Sequence, residues 1–219
     1  MDAPLKQEWR IMLSRWDAIK LALRGREVMS RLIDLRYDAN LPWRGAVTEN
    51  EGVLLKRAVE AANELSGPVV EIGTLFGFTT NLMASWLKPG KELITVDNYS
   101  WNPWGVMPDV HRAVARRVLA PFVERNGGGV RLVDMDKNRF HAEYRGAAPA
   151  FVFIDAMHTY EETLKDIEWA KRVGATIIGG HDYCPKFEGV VRAVDEGLGR
   201  EVETRDSVWV WGLRGRHVP

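Results

Sequence analysis

Residues 68–80 constrain the fold more than any other stretch. Val69, Val70 and Ile72 make an apolar run around Glu71, Gly73 and Gly77 follow four residues apart, and a helical pattern then begins. β-Branched residues favour a buried strand, and glycine permits a positive φ or a close backbone approach that a side chain would obstruct. The stretch therefore reads as strand, tight turn and helix. The amides that open this helix, around residues 77–80, are suited to receive a carboxylate or a phosphate.

The spacing discriminates between ligands. A dinucleotide fingerprint is G-x-G-x-x-G, whereas here the pattern is Glu71-x-Gly73-x-x-x-Gly77, with the acid on the strand itself. Glu71 would repel a pyrophosphate and attract the ammonium of an amino-acid-like ligand, which favours S-adenosylmethionine over a nicotinamide dinucleotide. Residues 71–79 resemble motif I of the class I S-adenosylmethionine-dependent methyltransferases, particularly the small-molecule O-methyltransferases related to catechol O-methyltransferase. The resemblance implies that Glu71, Gly73 and Thr79 serve the methionine end of the cofactor, with Thr74 and Gly77 in the same turn.

A length of 219 residues suits one α/β domain with a continuous core. Thirty basic and thirty acidic residues give a formal net charge of +0, so the global basic footprint of a nucleic-acid binder is missing. The single cysteine, Cys184, excludes an intramolecular disulfide framework and a cysteine-rich zinc site. With no signal peptide and no membrane-length apolar run, a cytoplasmic enzyme with a small-molecule partner is the expectation. Trp101 and Trp104 fall in a loop-like stretch, where they either pack or form an aromatic wall of a substrate pocket.

Residues 6–23 and 26–37 carry apolar side chains at helical spacing with no strand before them. Residues 1–47 therefore read as an N-terminal helical extension, and residues 48–219 as the methyltransferase domain. The resemblance implies that such an extension covers the active site or forms a homodimer contact. Thr48 and Glu51 have the form of a capping box that opens the next helix. Strands are then expected at 69–72, 93–96, 130–133, 151–154 and 175–178, alternating with helices, and a final pair at 201–204 and 207–211. This is a Rossmann-like three-layer sandwich whose seven-stranded, mostly parallel sheet ends in an antiparallel hairpin.

Acids terminate several strands. Asp97 ends the second, about 26 residues after Glu71, where a nucleoside-binding α/β unit places its ribose acceptor. The resemblance brings Asp134 and Met135, at the tip of the third, to the adenine. Asp155 ends the fourth strand, and His181-Asp182 follow the fifth, so these groups meet at the carboxyl edge beside the cofactor crevice.

In catechol O-methyltransferase and its relatives a magnesium ion holds the acceptor oxygen through an acid after the fourth strand and an acid-amide pair after the fifth. A lysine three residues beyond the first acid is the base. Carried over, Asp155, His181 and Asp182 form the metal set, Asp155 also borders the cofactor, and His158 takes the place of the lysine. An imidazole with an ordinary pKa near ~6.5 can accept a proton at neutral pH. His181 departs from the pattern, because a nitrogen ligand favours manganese or iron over magnesium. His158 and His181 have plain alternatives as a helix cap and a loop hydrogen-bonder. Asp-x-x-His and His-Asp turns occur together in relatives similar to macrocin O-methyltransferase, some of which need no metal. The competing functions are a nicotinamide-dependent oxidoreductase and a non-catalytic cofactor-binding protein of the same fold.

Overall fold

The computed structural model describes residues 47–103, 105–123, 129–199 and 201–213. The expected helices at 6–23 and 26–37, and Trp104, lie outside the described residues. Seven strands form one sheet in the order β3-β2-β1-β4-β5-β7-β6. They are β1 (Val69–Ile72), β2 (Glu92–Asp97), β3 (Gly129–Asp134), β4 (Phe151–Ile154), β5 (Ile177–Gly180), β6 (Val202–Arg205) and β7 (Val208–Trp211). The first five are mutually parallel, and β7 runs antiparallel to both β5 and β6. The strand order reverses between β1 and β4, the crevice where open α/β sheets bind their ligands.

β1, β4 and β5 are buried at every position, as expected of central parallel strands covered on both faces. Helices α1 (Glu49–Asn63), α2 (Phe78–Trp86) and α3 (Pro108–Val123) contact one another in series. α4 (Lys137–Glu143) ties to α5 (Tyr160–Arg172) through Lys137 and Asp166, and α5 packs on α6 (Glu188–Leu198). No helix among the described residues is long and apolar enough to cross a membrane.

Thr48 caps α1 as its sequence predicts: its hydroxyl accepts from the Glu51 amide, and the Glu51 carboxylate accepts from the Thr48 amide. Two elements differ from the sequence reading. Helix α4 has seven residues, too short for a periodic pattern, and is fixed by the Asp136 side chain accepting from the amides of Asn138 and Arg139. β5 begins two residues late and includes Gly179 and Gly180, which the sequence reads as a turn. These glycines serve close approach: a Cβ on Gly180 would lie 2.5 Å from the Ile154 carbonyl oxygen and 2.7 Å from the Trp209 ring. Consequently His181 leaves the sheet directly beside Asp155, and its amide donates to the Ile154 carbonyl.

Candidate active site

Gly73 leaves β1 at φ +101°, and a Cβ there would sit 2.0 Å from the Asp155 carbonyl oxygen. No side chain fits, so the turns after β1 and β4 touch through backbone. At Gly77, φ +82°, the chain enters α2 without a side-chain cap, leaving its first amides to an outside acceptor.

Glu71 lies beneath this turn and is fully buried. Its Oε2 accepts from the hydroxyls of Thr80 and Thr95, each at 2.5 Å, and Thr74 donates to Thr95 at 2.6 Å. Its Oε1 is buried without a partner. Burial pushes the Glu71 carboxyl up to about 8 despite the two threonines. With that shift the carboxyl is largely protonated at neutral pH, and a ligand ammonium at the orphaned oxygen would favour its ionised form. Thr74 is turned inward into this chain, and Thr79 is half-buried in the first turn of α2.

Asp97 is more committed than its sequence position implies. Its Oδ2 accepts from the amides of Thr74 and Leu75 at 3.0 and 2.8 Å, and its Oδ1 accepts from the Tyr99 amide at 2.7 Å. A carboxylate offers about four acceptor sites, so little is left for a ribose. The geometry makes Asp97 the clasp between the glycine turn and the loop after β2. Asp134 is likewise engaged, with Arg112 Nε 2.5 Å from its Oδ2. Met135 donates its amide to the Asp97 carbonyl and packs at the edge of the core. Trp101 is 66% exposed, so it does not pack.

The second half of the site gathers at the ends of β4 and β5. His158 Nε2 lies 2.9 Å from Asp182 Oδ2 and 3.9 Å from Asp155 Oδ1. The shorter contact lacks the alignment of an N–H···O bond. His181 Nδ1 lies 3.9 Å from Asp155 Oδ1 and 3.6 Å from Asp182 Oδ2. Asp182 holds φ +62°, a left-handed conformation of the kind that clusters at functional sites.

Electrostatics reinforce the grouping. Asp155 and Asp182 hold the His158 imidazolium up to about 9. Burial opposes charge on His181, but Asp182, Glu51 and Asp155 outweigh it and push the ring up to about 10. Burial likewise opposes charge on Asp182, yet His158 and His181 keep it well below the usual carboxylate range. The ordinary imidazole pKa expected from the sequence does not describe either histidine.

Asp155, His158 and Asp182 each offer one donor atom, all within 4.8 Å of one another. Octahedral donors about 2.1 Å from an ion stand roughly 3 Å apart when adjacent and roughly 4.2 Å apart when opposite, so the spacing fits a single cation. The convergent set contains His158, read from the sequence as the base, while His181 flanks the two carboxylates. Sequence reasoning missed Glu51 as a site residue and saw only its cap. Glu51 is buried, its Oε1 lies 3.2 Å from His181 Nε2, and no local pattern announces a contact across 130 residues.

A family model described as "Methyltransferase domain" matches residues 70–183. A search of curated proteins finds no significant match. Among solved structures, an O-methyltransferase from Bacillus cereus in complex with SAH has a TM-score of 0.57 at 21% identity, covering 84% of this chain and 89% of that one. TomG from Streptomyces achromogenes, an O-methyltransferase in complex with SAM, gives 0.55 at 18% identity, covering 84% and 87%. CalS11, a calicheamicin methyltransferase, gives 0.61 at 14% identity, covering 85% and 91%. At these identities the likeness is one of fold.

Proposed function

The chain belongs to the methyltransferase-domain family, and on that premise we propose that it transfers the methyl group of S-adenosylmethionine to a hydroxyl oxygen of a small molecule. One observation carries the reading: the orphaned Glu71 oxygen on β1 and the Asp155–His158–Asp182 cluster in the turns after β4 and β5 are joined where Gly73 abuts Asp155. An ammonium recognised on one side and an acceptor oxygen held on the other are what methyl transfer by in-line displacement requires.

The cofactor supplies an electrophilic methyl on a sulfonium. The protein's part is to bind, align and deprotonate. Glu71 Oε1 would take the ammonium, the uncapped amides of α2 would take the methionine carboxylate, and Asp97 would border the ribose while clasping the turn. Thr74, Gly77 and Thr79 shape the turn, and Asp134 and Met135 would border the adenine. His158, three residues after Asp155, is the group that takes the hydroxyl proton when the site holds no ion.

A divalent ion would be held by Asp155, Asp182, His158 and His181, and would supply the Lewis acidity that lowers the pKa of an acceptor hydroxyl. Two oxygens and two nitrogens suit manganese better than magnesium. TomG, involved in tomaymycin synthesis, and calicheamicin-modifying CalS11 support a natural-product acceptor, such as a sugar or a catechol-like ring. Trp101 and Met157, both exposed, offer it apolar surface.

The test is transfer of labelled methyl from S-adenosylmethionine across a panel of sugar and catechol acceptors, before and after chelation. Transfer is expected to at least one hydroxyl acceptor, reduced by chelation and restored by manganese. Full activity after exhaustive chelation would remove the ion from the mechanism, and failure across the whole panel would count against the acceptor class.

A further inference from the structure

Glu51 uses its two carboxylate oxygens for different tasks. Oε2 accepts from the Thr48 amide at 2.6 Å, which completes the cap of α1. Oε1 takes no part in the cap. It accepts from the Ser207 amide at 3.1 Å and the Ser207 hydroxyl at 2.5 Å, and lies 3.2 Å from His181 Nε2; the Ser207 oxygen, its hydrogen given to Glu51, also lies 3.1 Å from Nε2 as an acceptor.

Both Glu51 oxygens already accept from backbone amides, Oε2 from Thr48 and Oε1 from Ser207, so the ring nitrogen that faces Oε1 is the one that carries a hydrogen. A neutral imidazole has one N–H, and with that hydrogen on Nε2 the other nitrogen presents a lone pair. Once an ion displaces the second proton of the His181 ring, this lone pair would be on Nδ1, the atom 3.6 Å from Asp182 and 3.9 Å from Asp155. Histidines that bind metals commonly have their second nitrogen fixed by a carboxylate in this manner.

We propose that Glu51 is a positioning residue: from the helix ahead of β1 it holds His181 with hydrogen on Nε2, so that Nδ1 joins Asp155, His158 and Asp182 as a fourth donor to a divalent transition-metal ion. This rests on the cation reading given above. The contact binds three distant parts of the chain, the start of α1, the loop after β5 and the turn before β7. A helix cap alone needs none of the contacts to Oε1.

Glu51→Gln separates the two tasks, because glutamine also serves the third position of a capping box. Manganese binding is followed by the loss of the free-ion electron paramagnetic resonance signal, in wild type, Glu51→Gln, His181→Ala and the double variant. Titration with S-adenosylhomocysteine and thermal melting confirm that each remains folded. The expected result is one site in wild type, roughly 10- to 100-fold weaker binding in Glu51→Gln, and a double variant no weaker than His181→Ala. Wild-type affinity in Glu51→Gln, or losses that add in the double variant, would overturn the role of Glu51 and leave the cation site standing. No manganese bound by wild type would remove the cation reading itself. If the variants do not fold, a long-range proton–nitrogen spectrum of wild type loaded with zinc decides: hydrogen on Nε2 of His181 supports the proposal, and hydrogen on Nδ1 overturns it.

Discussion

Replacement of His158 by glutamine is expected to lower turnover roughly 10²- to 10⁴-fold, the usual contribution of a positioned general base, while leaving affinity for S-adenosylhomocysteine near that of wild type. The ring packs against Phe187 with centroids 4.6 Å apart, and its Nε2 lies near Asp155 and Asp182. Glutamine keeps the polarity but neither accepts the proton nor supplies the imidazole donor.

The pH dependence has a definite sign. Asp155 and Asp182 raise His158 to about 9, so without an ion the ring is protonated below that pH and cannot act as a base. Activity of the chelated enzyme should therefore climb with pH toward about 9 and fall as pH drops below it. A divalent ion ligated by His158 would compete with the proton on its ring, so the limb near 9 belongs to the ion-free enzyme. Steady-state turnover of both proteins from pH 6 to 10, roughly the span over which imidazoles titrate here, reads both effects. Near wild-type turnover in His158→Gln would reduce His158 to a turn residue and pass the base role to His181.

Gly73→Ala is expected to be the most damaging small change in the framework. The added Cβ would lie 2.0 Å from the Asp155 carbonyl oxygen and 2.6 Å from its carbon, in a backbone at φ +101°. Left-handed strain costs about 1–2 kcal/mol and overpacking about 1–3 kcal/mol. Their sum of roughly 2–5 kcal/mol corresponds to a fall in Tm of roughly 5–20 °C at this chain length. The turn after β4 would also be pushed away from β1, so activity should fall even where the variant remains folded. Calorimetric melting checks this, and an unchanged Tm would mean that the β1 and β4 turns do not abut as described.

Much of this arrangement is legible in the sequence because its signals are local. The run from Val69 to Ile72 marks a central strand by composition, Gly73 and Gly77 mark a turn, and acids at the ends of β2 and β4 mark the crevice edge. What escapes the sequence depends on contacts between distant segments. Gly179 and Gly180 look like a turn until the Trp209 ring and the Ile154 carbonyl are seen to require them in β5. Glu51 looks like a cap because the residues that claim its other oxygen, His181 and Ser207, stand 130 and 156 positions away. Asp97 reads as a free acceptor, since nothing local reveals that three backbone amides converge on it. The histidine pKa values escape for the same reason: they are set by carboxylates brought together by the sheet.

The most direct measurement is calorimetric titration of the wild-type chain with S-adenosylhomocysteine and, separately, NADH, repeated on Glu71→Gln. The account predicts that S-adenosylhomocysteine binds with one-to-one stoichiometry and NADH does not. Glu71→Gln keeps the buried shape but cannot ionise, so it should lose about 1.5–3 kcal/mol, or roughly tenfold to more than a hundredfold in affinity. Binding of NADH without S-adenosylhomocysteine would contradict the methyltransferase account, and an unchanged affinity in Glu71→Gln would contradict the ammonium contact on which the reading of the site rests.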